Sequence, residues 1–150
     1  MRALIQRVSQ ASVFVAGSKI SEISRGLVVF LGVEPEDTNE DVEWLAGKIA
    51  RLRIFPDMDG AMNRSLHDTG GAFLVVSQFT LYASTKKGNR PSFLKAAPPE
   101  FAERQYNSFC QHLEDDLDGT VRRGVFGAHM QVALTNDGPV TIWIDTKQRE

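Results

Sequence analysis

Thiol chemistry is almost absent from this chain: among 150 residues there is one cysteine, Cys110. No intramolecular disulfide can form, and a reducing compartment is the expected setting. Cys110 lies in a stretch of helical period with no histidine or asparagine placed beside it by a motif, so it reads as a small apolar filler rather than a nucleophile. Histidine is scarce too. His67, His112 and His129 are the only ones, none in a metal-ligand spacing such as HExxH or beside a cysteine pair, so neither a metal nor another cofactor is implied. There is no GxSxG elbow around Ser77, no Walker loop and no GxGxxG. Long apolar runs are missing as well. Nothing approaches the ~20 residues of a membrane span, and MRALIQRVSQ has neither an apolar core nor a small-residue cleavage site, so no membrane association is expected and the cytoplasm is the expected location. Nor does one sign of charge dominate: 17 basic and 19 acidic residues give a net charge of −2. A chain without a basic field cannot hold long stretches of nucleic acid through phosphates alone, so any such contact must be local. Lys86, Lys87, Arg90 and Lys95 form one candidate patch; Arg122 and Arg123 read as ordinary surface.

What is present is ordinary globular material, 42% hydrophobic and 24% charged, at a length that suits one domain over residues 1–150. Residues 2 to 15 alternate, with Ala3, Ile5, Ala11, Val13 and Val15 on one parity, which is the period of half-buried strands and suggests an opening strand pair. Gly26 to Val33, GLVVFLGV, reads as a strand buried on both faces. Thr38 followed by Asp41 resembles an acidic capping box, and Val42, Leu45, Ile49 and Leu52 then mark an amphipathic helix of roughly four turns. Asp57, Asp59 and Asn63 fall short of a calcium loop, because the bidentate glutamate is missing. Ala72 to Tyr82 reads as a central strand until Ser77, Gln78 and Thr80 interrupt it, and Ala83 to Pro99 as a polar loop. Phe101, Tyr106, Phe109, Leu113 and Leu117 mark a second long helix that starts near Pro98. Thr120 to Phe126 closes toward two strands, Met130 to Leu134 and Val140 to Asp145, flanking a turn at Thr135 to Pro139. The sum is a mixed α/β fold: a largely antiparallel, barrel-like sheet with two helices packed outside it.

Two segments are more specific than any of this. SQFTLY at 77–82 ends a strand, and NDGPVT at 136–141 interrupts a strand pair. Together with MRALIQRV, GLVVFLGV and the KKGNRPSF loop, they make the chain resemble the D-aminoacyl-tRNA deacylases over nearly its whole length. The resemblance implies hydrolysis of the ester between a D-amino acid, or achiral glycine, and the 3′ end of tRNA. It implies a homodimer with the active site at the subunit interface, where Gly138-Pro139 of one subunit, joined by a cis peptide bond, enters the pocket of the other and aims main-chain carbonyls at the substrate's α-amino group. An L side chain would then point into rigid backbone, whereas hydrogen or a D side chain would point away.

On this reading Arg7 holds the inserted segment in place. Ser77 and Gln78 orient the pocket, and backbone N–H groups near Phe79 and Thr80 stabilise the oxyanion of an already activated ester. Water activation stays open between help from the 2′-hydroxyl of the terminal adenosine and attack by Thr80 as a nucleophile. Lys86, Lys87 and Arg90 are the expected acceptor-stem contacts. Two other functions compete: a non-catalytic RNA- or ligand-binding domain using the same pocket, and a general hydrolase of D-amino acid esters or peptides that needs no RNA.

Overall fold

The computed structural model describes residues 1–116 and 120–149. In chain order the elements are β1 (Arg2–Val15), β2 (Ser18–Ile23), β3 (Gly26–Gly32), α1 (Asn39–Ala50), β4 (Phe55–Pro56), β5 (Met62–Arg64), β6 (Ala72–Ser77), α2 (Pro99–Gln111), β7 (Thr120–Arg123) and β8 (Gln131–Asp145). The alternation at the start of the chain is one fourteen-residue strand that pairs antiparallel with three partners: β3 along its first half, β2 along its second, and β8 along nearly all of its other edge. Beyond β3 the pairing becomes parallel, first to β6 and then to β7. The Ser21 hydroxyl donates to the Arg123 carbonyl at 2.9 Å, which brings β2 against β7 and curls the sheet into a nearly closed barrel. The fold class expected from the sequence is therefore borne out.

Each face of the curled sheet carries its own core. Ala3, Ile5, Leu27, Val29, Leu31, Phe73 and Val75 pack with Val42, Leu45 and Ile49 of α1 and Tyr106, Phe109 and Cys110 of α2. Val8, Ala11, Val13, Val28, Leu74 and Val76 fill the interior of the curl. Because β3 supplies both clusters, its sequence has to be apolar at every position rather than alternating. The Cys110 thiol is fully buried, and burial pushes its pKa up to about 11, as suits a filler.

Helix α1 spans 12 residues, about three turns rather than four. It opens as Thr38 implies: the Asp41 carboxylate accepts from the Thr38 N–H at 2.9 Å and from its hydroxyl at 3.0 Å. Leu117, assigned to the second helix by its spacing, lies outside the described residues. Within the closing stretch Thr120 to Phe126, residues Thr120–Arg123 form strand β7. Arg123 is not plain surface, since its guanidinium pairs with Glu114 at 3.0 Å.

The larger correction concerns the end of the chain. Residues 131–145 do not form two strands around a turn; they form the single strand β8. Both halves bond to β1, and the Gly-Pro interruption is absorbed as a bulge. Gln6 pairs with Thr141 and Val8 with Asn136, so the four residues 137–140 stand opposite Arg7 alone. Proline lacks the ladder donor, and a bulge is where a strand tolerates that loss.

Candidate active site

The first half of the site is built where β6 runs out. Ser77 still pairs with Leu31 of β3, and the next residue, Gln78, donates its N–H to the Leu31 carbonyl at 2.7 Å. The chain then coils into a single 3-10 turn, Phe79–Tyr82, closed by Leu81 N–H to Gln78 carbonyl at 3.2 Å and Ala83 N–H to Thr80 carbonyl at 3.0 Å. The N–H groups of Phe79 and Thr80 come before the first bond of the turn, and no side chain caps them. The Gln78 amide instead donates to the Thr80 hydroxyl oxygen. Gly32, at the end of β3, makes this close packing possible. A Cβ there would stand 3.1 Å from the Gln78 carbonyl oxygen and 3.2 Å from both Leu81 Cβ and the Tyr82 ring.

Beside the turn opens a cavity of about 710 Å³, mostly apolar, whose walls include Ser77, Gln78, Phe79, Phe93, Tyr106, Phe126 and Met130. Phe79 is 57% exposed, an unusual state for so large an apolar ring. Phe93 packs edge-on against it at 5.1 Å. That contact anchors the loop beyond, whose base is closed by paired backbone bonds between Ser84 and Ser92 at 2.8 and 2.9 Å. Lys86, Lys87 and Arg90 project from this loop, exposed and without an ion-pair partner among the described residues; Lys95 follows, also exposed.

The second half lies elsewhere. Gly138 and Pro139 are exposed in the β8 bulge, joined by a cis peptide bond, with Gly138 at φ +133°. Arg7 sits behind them, only 8% exposed. Its Nε donates to the Asp137 carbonyl at 2.9 Å and its Nη1 to the Ile54 carbonyl, while Asp137 Oδ2 stands 3.5 Å away. Among the residues expected to act, the chain brings Ser77, Gln78 and Phe79 to the cavity. Thr80, Arg7, Gly138 and Pro139 do not line it.

Arg7 shares the parity of the buried Ala3 and Ile5, so the alternation itself also places it inward. Phe126, His129 and Met130, which line the cavity, escaped the sequence reading, because scattered residues carry no site signal until the fold brings them round one cavity.

The polar groups at the cavity are the uncapped main-chain donors of the turn and the side chains of Ser77, Gln78 and His129; preorganised donors of this kind suit an activated substrate, and the class they fit is a hydrolase of reactive esters. The family profile described as D-Tyr-tRNA(Tyr) deacylase matches residues 4–145. The chain belongs to that family, enzymes that hydrolyse the ester bond of D-aminoacyl-tRNA. It is 59% identical to the D-aminoacyl-tRNA deacylase of Opitutus terrae and 55% identical to that of Flavobacterium johnsoniae, in each case over 150 residues and the full length of both chains. Among solved structures it is similar to a c-Myc DNA Unwinding Element Binding Protein, at 45% identity with a TM-score of 0.91 over 97% of this chain and 98% of the other. A probable eukaryotic D-amino acid tRNA deacylase, 18% identical, shares the fold with a TM-score of 0.82 over 95% and 97% of the two chains.

Gly32 gives this activity a first test. Gly32→Ala places a methyl group against the underside of the Phe79–Tyr82 turn, which must shift by a few tenths of an ångström. Deacylation is expected to slow about 10-fold, since small misplacements of catalytic groups are costly, while thermal unfolding changes little. Measuring kcat and Tm on the same preparation checks both, and an unchanged kcat would show that the turn tolerates the displacement.

Proposed function

We propose that this enzyme removes D-amino acids, and glycine, from tRNA and spares L-aminoacyl-tRNA, using one active site per subunit interface of a homodimer. The observation that carries this reading is the exposed Gly138-Pro139 bulge, braced by Arg7 yet absent from the cavity of its own chain. An exposed, braced backbone projection that does not line its own pocket is suited to entering a neighbour's. The edge of β8 supports the same view. Its fifteen residues pair only with β1 among the described strands, and Trp143 on it is 49% exposed. Such an open edge is one that proteins normally cover.

In this arrangement the 3′-terminal adenosine packs in the apolar cavity against Phe126, Met130 and Phe93. The ester carbonyl lies over the uncapped N–H groups of Phe79 and Thr80, which stabilise the developing oxyanion, and Ser77 and Gln78 orient the pocket. The partner's Gly138-Pro139 meets the α-amino group with main-chain carbonyls. Selection by backbone is indifferent to the kind of side chain, so many D-amino acids pass and an L side chain collides. Lys86, Lys87 and Arg90 meet acceptor-stem phosphates as a local patch, in keeping with the small net charge. The whole chain acts as one domain in the cytoplasm, where charged tRNA is found.

Release of amino acid from D-Tyr-tRNA and L-Tyr-tRNA, with chelator present and spontaneous hydrolysis subtracted, is the test. Fast release of the D form alone is expected. Equal release from both would discard the chiral argument. Binding of tRNA without release would favour a non-catalytic nucleic-acid-binding role, the reading suggested by the name of the DNA-unwinding-element-binding relative. Release from small D-amino acid esters at the same rate would remove the need for RNA. Thr80→Ala separates the two routes to water activation. Near-normal turnover leaves the 2′-hydroxyl as the assisting group, whereas abolition points to the Thr80 hydroxyl.

A further inference from the structure

Arg2 takes part in none of the steps above, yet its side chain is the most heavily engaged of the arginines near the catalytic turn. In the sheet it stands between Gly32 of β3 and Asp145 of β8, in register with both. Its Nε donates to Asp145 Oδ2 at 2.9 Å, and its Nη1 donates to the Leu81 carbonyl at 3.0 Å. The guanidinium lies 4.4 Å from the centre of the Tyr82 ring and 5.6 Å from that of Trp143. Tyr82 is in turn buried, with its hydroxyl 3.3 Å from Glu34 Oε1.

Leu81 and Tyr82 are the last two residues of the 3-10 turn whose first two are Phe79 and Thr80. The Leu81 carbonyl is one of those the turn itself leaves without a donor. A turn of four residues is short enough that fixing its end fixes its beginning. Gly32 supports it from below and Arg2 clamps it at the far end, so the two register neighbours in the sheet together set how the turn lies.

We propose that Arg2 is a positioning residue for deacylation: it locks the C-terminal end of the SQFTLY turn to β8, and thereby holds the Phe79 and Thr80 N–H groups where the ester carbonyl must sit. The claim rests on the assignment of those N–H groups to the oxyanion. Arginine suits the task because one planar fork serves a carboxylate, a carbonyl and two aromatic faces at once. Lysine has a single donor centre and keeps the charge, but it cannot hold Asp145 and the Leu81 carbonyl in the same geometry.

Arg2→Ala and Arg2→Lys are the variants to make, with D-Tyr-tRNA as substrate. Arg2→Ala is expected to lower kcat about 10- to 100-fold with KM unchanged within about threefold, and Arg2→Lys to fall in between. The amide resonances of Phe79 and Thr80 should move in both. Lys147→Ala serves as the stability control, since it removes the 2.8 Å ion pair with Asp41 on the far side of the same terminal segment; it should lower Tm and leave kcat intact. Wild-type kcat in Arg2→Ala, unmoved amide resonances, or an equal kcat loss in Lys147→Ala at matched Tm would each overturn the proposal. If the wild-type protein releases no amino acid, the deacylase assignment fails instead, and the amide shifts alone then decide whether Arg2 sets the turn.

Discussion

Gly138→Ala is expected to cut D-Tyr-tRNA turnover about 100-fold, the scale on which misplaced catalytic geometry costs rate. At φ +133° an L side chain is strained whatever the space around it, and here there is little. A Cβ would stand 3.0 Å from Val140 Cγ2, 3.1 Å from the Val140 nitrogen and 3.1 Å from Arg7 Nη2. The valine methyl can rotate away. The backbone nitrogen cannot, and Arg7 is held by two carbonyls. The bulge therefore has to move, and with it the carbonyls that the proposed mechanism offers to the α-amino group. Because Gly138 and Pro139 are exposed and lie outside both core clusters, the fold should survive, with Tm lowered by only a few degrees. Single-turnover release from D-Tyr-tRNA beside a thermal melt checks this. A wild-type rate would show that the exact path of the bulge does not matter to catalysis.

Arg7→Ala is expected to do the opposite, damaging stability as well as selectivity. The variant leaves the Ile54 and Asp137 carbonyls without their charged donor and opens a space beneath the bulge. Hydrogen bonds from charged groups contribute ~1.5–3 kcal/mol each, so the loss should be about 3 kcal/mol once solvation of the exposed Asp137 side is allowed for. For a chain of this size that lowers Tm by roughly 10 °C. With its brace removed the bulge wanders, and the preference for D over L substrate should fall at least about 10-fold. Arg7→Lys should recover part of the stability and little of the selectivity, because an ammonium cannot reproduce the fork that reaches Ile54 and Asp137 together. Competing hydrolysis of D-Tyr-tRNA and L-Tyr-tRNA measures the ratio directly, and an unchanged ratio would remove Arg7 from any role in chiral selection.

Much of this architecture could be read from local pattern, because local pattern is what creates it. The alternation of residues 2–15 follows from one face of β1 meeting a core, and the unbroken GLVVFLG follows from β3 meeting two. Thr38 and Asp41 announce α1 through the bonds that they make. The continuity of β8 could not be read in the same way. Asp-Gly-Pro looks like a turn wherever only its neighbours are considered, and what overrides that preference is pairing with β1, more than a hundred residues distant in sequence. The SQFTLY and NDGPVT segments were legible only through resemblance, since main-chain groups such as those proposed to act here leave little trace in residue type. Arg2 was invisible for a related reason: an arginine on a strand says nothing until Leu81, Tyr82, Trp143 and Asp145 are gathered around it.

Strand β8 carries two unlike duties within a few residues. Val132, and Met130 just before the strand, line the cavity of their own chain, and the exposed Gly138-Pro139 stand outside its lining. Between them the strand works as a ruler marked in residues. Side chains along 133–136 can be exchanged without altering the interval, but a single insertion or deletion there would turn every following residue to the opposite face. Change by substitution is thus open to this stretch of the gene, whereas change in its length is closed.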